Sequence, residues 1–168
     1  MKHLSRYDIE TIAAKYIKAY MQLPEIKNTQ VYRIDPEIML GKILGLTVDY
    51  VHLSYDGSIL GLTSFGELGV QIFENDDDEA FYFLDGKTVL VEADLNYDNK
   101  LRGRKNFTLM HEGSHQIFKK LFRMITALHK NQPEFIITRQ TPSGTNRFQT
   151  GKNGKLILWQ QRYYFLKI

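Results

Sequence analysis

Apolar residues recur at helical spacing in three separate stretches of this chain. Ile9, Ile12, Ala13, Tyr16, Ile17 and Tyr20 mark one face of residues 8–21, with Ser5 and Asp8 ahead of them as a capping pair and Pro24 beyond. The segment "DPEIMLGKILG" supplies Asp35 as N-cap, Pro36 in the first helical position, apolar Ile38, Met39, Ile43 and Leu44, and Gly45 as a stop. A third and longer helix is predicted from Arg104 to about Leu128, with Phe107, His111, His115, Phe118, Phe122 and Ile125 on the stripe that should face the core.

Between the second and third helices the period changes to two. "LTVDYVHL", "ILGLTS" and "GVQIF" read as short strands, and "AFYFLDGKTVLVEA" reads as a hairpin turning at Asp85-Gly86. The expected middle of the molecule is thus a small, largely antiparallel sheet, and the fold class is α+β. "NQPEFIITRQTPSGTNRFQTGKNGK" is rich in Pro, Gly, Thr and Asn and is expected to be a long loop, after which "LILWQQRYYFLKI" closes the chain as an apolar strand or short helix. The chain shows no internal repeat. The glycines of "ILGLTSFGELG" fit turn chemistry and not a phosphate loop, since neither the Gly-x-Gly-x-x-Gly order nor a following helix is present.

Composition sharpens this outline. A chain of 168 residues that is 43% hydrophobic is long enough to bury one core, so a single domain over 1–168 is expected. No apolar run is long enough to span a bilayer and the N-terminus has no apolar signal core, which together predict a cytoplasmic protein with no membrane partner. There is no cysteine, so a bound metal must be held by histidine, carboxylate and water. Charge is uneven: residues 74–86 are strongly acidic, whereas after Phe118 the basic residues face a single acid, Glu134. A solvated loop and tail is the simpler account of that asymmetry; a surface for nucleic acid or an acidic partner is the sharper one.

The chemistry concentrates in "RKNFTLMHEGSHQIF". His111 and His115 stand four residues apart on a helix, so their rings can converge on one ion such as zinc. Glu112 follows the first histidine, where a carboxylate can take the proton of a metal-bound water without itself becoming a ligand. The bland alternative is a pair of histidines at the core edge with Glu112 as a solvated helix residue. Gly113 within the motif weakens the helix by about 1 kcal/mol relative to alanine, either to admit another backbone or a substrate or as a tolerated imperfection. His3 lies near a terminus, His52 alternates within a strand, and His129 ends a helix, where interaction with the helix dipole is expected. Tyr82 and Tyr97 lie on segments expected near this helix, and neither is assigned to an oxyanion.

These stretches resemble the ImmA/IrrE family of zinc metallopeptidases. The likeness rests on "ILGLTSFGELGVQIFE", on "KTVLVEADLNYD", and above all on "RGRKNFTLMHEGSHQIF", which is similar to the family's Arg-x-x-Phe-Thr-x-x-His-Glu-x-x-His core; it covers roughly residues 5–125. The resemblance implies a zincin-like fold, zinc at His111 and His115, Glu112 as general base, and a protein substrate, typically a helix-turn-helix repressor of a phage, a mobile element or a stress regulon.

The family also places a third ligand, usually a glutamate, on a later helix. In "LILWQQRYYF", Trp159-Gln160 can match the family's Trp-Gln pair, but Leu158 stands where the glutamate would be, and no acid follows Glu134. Three explanations stay open: the chain stops before the ligand helix, the tail has been altered, or the donor is unusual, such as Glu134, His129, solvent or a neighbouring chain. The leading expectation is a zinc-dependent endopeptidase. The alternatives are a non-catalytic relative serving as a sensor or protein-binding module, and nucleic-acid binding through the basic C-terminal region.

Overall fold

The computed structural model describes residues 5–75, 78–125, 135–139 and 147–151. The chain enters through helix α1, Arg6–Met21. The expected cap is present, because Asp8 N–H donates to Ser5 Oγ at 3.2 Å while the Asp8 carboxylate accepts from Ser5 N–H at 2.9 Å. Helix α1 is largely exposed; its buried anchor is Tyr20, whose hydroxyl accepts from Asp35 N–H. Asp35 in turn caps α2, Pro36–Ile38, by accepting from the N–H groups of Glu37 and Ile38. The helix then widens into a π-helical turn over Met39–Leu44 and stops at Gly45, which takes the left-handed conformation that only glycine adopts without strain.

The described residues form the strands β1 (Thr47–Val51), β2 (Ile59–Ser64), β3 (Glu67–Asn75), β4 (Asp78–Asp85), β5 (Thr88–Glu92), β6 (Phe135–Arg139) and β7 (Arg147–Gly151), the first five of them where the period-two stretches were expected. Helix α3, Asp94–Tyr97, and a 3-10 turn, Asn99–Leu101, lead into α4, Arg102–Ile125. The described residues are α+β, as expected, but their strands divide between two sheets. One has five strands in the order β1-β5-β2-β6-β7; the other is the β3–β4 ribbon.

This division corrects the expected single antiparallel sheet. Asp85-Gly86 does turn the chain, with Asp85 Oδ1 accepting from the N–H groups of Lys87 and Thr88, yet β4 does not pair with β5 across it. Strand β4 pairs with β3, and β5 runs parallel to β1 and antiparallel to β2. The chain changes sheet at two stacked corners. One is Phe65–Gly66 and the other Gly86, where an added Cβ would stand 2.9 Å from the Gly66 nitrogen, so neither corner has room for a side chain at Gly86.

A second correction concerns residues 131–155, expected to be a loop. Phe135–Arg139 and Arg147–Gly151 are strands β6 and β7, paired antiparallel with each other and, through β6, with β2. The run Phe-Ile-Ile-Thr has the β-branched and aromatic content of a strand, and the surrounding Pro, Gly and Asn obscure it. The expected closing segment 156–168 and the end of the third helix near Leu128 lie outside the described residues.

The result is three layers. On one face of the five-stranded sheet, Leu53, Ile59, Leu62, Leu90 and Ile137 pack against Leu68, Val70, Ile72 and Leu84 from the ribbon. On the other face, Leu46, Leu60, Val89 and Val91 meet Leu40 and Leu44 of the π-helical turn, Leu95 of α3 and Leu109 of α4. Among the described residues no helix is long and apolar enough to cross a membrane.

Candidate functional site

Helix α4 lies across β2 and β5, and three consecutive turns of it present polar side chains to the sheet. Thr108, Glu112 and Gln116 are each almost wholly buried. Their spacing of four places them in one row, and β2 supplies the counterparts. Gln116 donates through Nε2 to Thr63 Oγ1 at 2.8 Å and to the Ser64 carbonyl at 2.7 Å, and Lys119 donates to the Phe65 carbonyl. At the other end of the helix, Lys105 reaches Glu37 and Asn96, both at 3.1 Å, while Tyr50 donates to Glu37 at 2.5 Å. The Tyr50 hydrogen bond is the main influence holding Glu37 below the usual carboxylate range.

The helix is therefore turned by about one position from the orientation expected, roughly 100° on a 3.6-residue period. Phe107, expected on the core stripe, is 56% exposed, and the buried row is its polar neighbour set. The pattern misleads because it assigns polar side chains to solvent, whereas here three of them turn inside, where Glu112 and Gln116 find hydrogen-bond partners.

Glu112 shows why that row is tolerated. The shift in β2–β6 register between Ile59 and Gly61 puts both Leu60 and Gly61 on the helix side. A Cβ at Gly61 would stand 2.8 Å from Thr108 Cγ2 and 3.0 Å from both Cγ and Oε1 of Glu112. Because Gly61 has none, the carboxylate passes over β2 and accepts at Oε1 from the Thr138 hydroxyl on β6, at 2.5 Å. Thr138 is the residue paired with Gly61. The glutamate is thus fully enclosed, contrary to the solvated alternative. Burial pushes its carboxyl up to about 8, with the Thr138 hydrogen bond pulling the other way. Glu112 Oε2 and Thr108 Oγ1 are buried with no hydrogen-bond partner, a situation that costs about 1–3 kcal/mol per group.

His111 and His115 stand beside this row, each half-buried. Their Nε2 atoms face one another at 2.9 Å, with ring planes at 83° and centroids 4.6 Å apart; Phe107 stacks on the outer side of His111. Burial lowers the pKa of His111, and burial together with the His111 charge takes His115 down to about 4, so both rings are neutral near pH 7. Neutral imidazoles are the form that binds a metal. Two nitrogens sharing a tetrahedral ion at bond lengths of roughly 2.0–2.1 Å lie about 3.3 Å apart, so a separation of 2.9 Å needs only a few tenths of adjustment. The donor set fits zinc at two positions. Among the described residues no third histidine or carboxylate joins the pair within 4.8 Å; Glu134 and His129 lie outside the described residues, as do Leu158, Trp159 and Gln160.

The described residues contain one other convergent group, His52, Glu92 and Asp94. Both oxygens of the buried Glu92 are engaged there, one with His52 Nδ1 at 2.7 Å and one accepting from Leu53 N–H at 2.8 Å. That arrangement ties the end of β1 to β5. Tyr82 donates to Asp49 and the exposed Tyr97 lies on α3.

Gly113 also has a specific neighbour. The Leu40 and Leu44 side chains approach to 3.0 and 3.3 Å of where its Cβ would be, so the close approach comes from leucine tips of the π-helical turn. Gly61, Thr108, Gln116 and Thr138 were not singled out by sequence reasoning. A glycine inside the apolar strand "ILGLTS" is a signal of close backbone approach, and it is the one clue that could have found this contact. Comparison with protein families, with curated proteins and with solved structures finds no match for this chain.

Proposed function

We propose that this protein is a zinc-dependent endopeptidase of the ImmA/IrrE kind, with a zincin-like fold, that cuts a regulatory protein, namely a helix-turn-helix repressor. The observation that carries the reading is the convergence of the two neutral imidazoles, Nε2 to Nε2 at 2.9 Å, beside a glutamate on the same helix. Zinc held by His111 and His115 would supply Lewis acidity toward water and toward a scissile carbonyl. Glu112 would take the proton from that water at Oε2, the oxygen without a partner, and return it to the leaving amine. Burial raises this carboxyl to about 8, so in the enclosed conformation it holds a proton near neutral pH, and it would serve as a base once opened to water. The row Thr108–Glu112–Gln116, tied to β2, fixes where the carboxylate stands.

A second reading, a non-catalytic relative acting as a sensor or protein-binding module, draws support from the same glutamate. Enclosed and capped by Thr138, it does not face solvent in this conformation. The third reading, nucleic-acid binding, gains nothing at its described end. Lys119 and Lys120 donate to the Phe65 and Leu44 carbonyls and hold the helix in place.

The test is metal content. Protein purified with zinc supplied should hold close to one equivalent by inductively coupled plasma mass spectrometry, and His111→Ala should lose it while retaining the wild-type circular dichroism. Folded wild type with no zinc would remove the peptidase reading and leave the binding module. Repressor cleavage that is abolished in Glu112→Gln then separates the catalytic reading from a zinc-bound but inert relative.

A further inference from the structure

A general base has to reach water and substrate, and Glu112 in this conformation reaches neither. Strand β2 lies against it at Gly61, and β6 closes the side beyond. Thr138 sits opposite Gly61 and donates to Glu112 Oε1, while Ile137, opposite Leu62, is buried against the ribbon face. Strand β6 therefore occupies the side of β2 beside the glutamate, where an extended peptide would have to pair in order to place a backbone carbonyl near Glu112.

We infer that β6 is an autoinhibitory strap, held on β2 in the resting protein and displaced by an extended peptide segment of the substrate. The inference rests on the peptidase reading for its biological sense, but the displacement itself is a property of the fold.

Three features favour a strand that can leave. First, β2 has partners besides β6: Gly61, Leu62 and Thr63 pair with Val91, Leu90 and Val89 of β5, and α4 holds Thr63 and Ser64 through Gln116. Second, β6 and β7 pair with each other over their whole length, so the two can depart as a hairpin without losing their own ladder. Third, the closed state leaves Glu112 Oε2 and Thr108 Oγ1 buried without partners, and opening would give both atoms water. The Thr138 hydroxyl takes the place a substrate or water donor would hold, so closure satisfies one oxygen of the base and blocks it in the same contact.

The chain has no cysteine, which allows a clean lock. Leu62→Cys with Ile137→Cys places two thiols on directly paired residues of β2 and β6, within the range a disulfide can bridge. Native-state hydrogen exchange should show the β2 amides directed at β6 exchanging at least tenfold faster than the β5 amides in wild type and in the reduced variant. Oxidation should slow those β2 amides at least tenfold and leave β5 unchanged. Thr138→Val, which needs no disulfide and changes little volume, should speed the β2 amides alone. With zinc supplied and a mixed-sequence quenched-fluorescent peptide pool, the reduced variant should cleave and the oxidised one should not.

Exchange of β2 and β5 at one common rate, or a rate indifferent to the lock, would overturn the strap, as would equal cleavage by the oxidised and reduced forms. If exchange reports opening but neither form cleaves, the strap stands and the peptidase reading falls.

Discussion

The two faces of the five-stranded sheet are built on different rules. Toward the ribbon, β2, β5 and β6 offer Ile59, Leu62, Leu90 and Ile137, and every buried partner in that cluster is apolar. Toward α4, the same strands offer Leu60, Val89 and Val91 at one end and Gly61, Thr63 and Thr138 at the other, against Thr108, Glu112 and Gln116. The buried residues of the first face carry no titratable group. The second gives up part of that dry packing to hold a carboxylate and two amide or hydroxyl pairs in fixed places. Buried polar rows of this sort contribute little net stability and a great deal of positional definition, which is the property the proposed peptidase role would require of α4.

The largest expected effect tests the apolar face. Leu90 is fully buried there, and Leu90→Ala should lower the unfolding free energy by about 3 kcal/mol through lost transfer energy and a residual cavity. The loss measured by urea denaturation should be the same at pH 5 and pH 8. A loss that varied with pH would mean that the two faces are not energetically separate.

The polar face should behave in the opposite way. The Glu112 carboxyl, about 4.5 when unfolded, is raised to about 8 by burial, so between those values the folded protein keeps a proton that the unfolded chain releases. Stability conferred by this site is therefore greatest below pH 4.5 and declines as pH rises toward 8. Glutamine cannot ionise. In zinc-free protein Glu112→Gln should be more stable than wild type at pH 8, with the advantage shrinking as pH falls and gone below pH 4.5. The histidines act from the acid side: His115 is lowered from 6.5 to about 4, so its contribution is present above 6.5 and is lost as pH falls toward 4. Parallel pH profiles for wild type and Glu112→Gln would show that the carboxylate is not enclosed as described.

That same contrast explains which parts of the molecule were legible in the sequence. Caps and stops are local chemistry, so Ser5 with Asp8, Asp35 with Pro36, and Gly45 could be placed from adjacent residues alone. His111 and His115 required only helical spacing. The orientation of α4 was not legible, since periodicity assigns polar residues outward and the row Thr108–Glu112–Gln116 goes inward. Nor was the pairing of β5. Neighbouring strands usually pair, and the stacked corners at Gly66 and Gly86 instead send β4 and β5 into separate sheets. Strand β6, which covers Glu112, was hidden by turn-forming neighbours on both sides. The histidine pair and Glu112 were visible, then, but the strand laid against Glu112 was a tertiary fact.

The smallest expected effects come from adding one methyl group at Gly61, which faces α4, and at Gly113, within it, and their difference tests how rigid the polar and apolar contacts of α4 are. Gly61→Ala would drive its Cβ to 2.8 Å from Thr108 Cγ2 and 3.0 Å from two atoms of Glu112. Those groups are short or anchored, and overpacking should cost about 1–2 kcal/mol. Thr108→Ser removes the closest of the atoms, so the double variant should recover part of the loss and no more, because Glu112 still stands in the way. Gly113→Ala meets Leu40 Cδ1 at 3.0 Å and Leu44 Cδ1 at 3.3 Å, the far ends of leucine side chains. A gain of about 1 kcal/mol in helix propensity opposes the displacement of those tips, and the net change should lie within about 0.5 kcal/mol of zero. Chemical denaturation of the three variants measures the contrast directly. Equal losses at Gly61 and Gly113 would mean that the apolar contact of α4 is as unyielding as its polar one, and that the placement of Glu112 owes nothing special to the row around it.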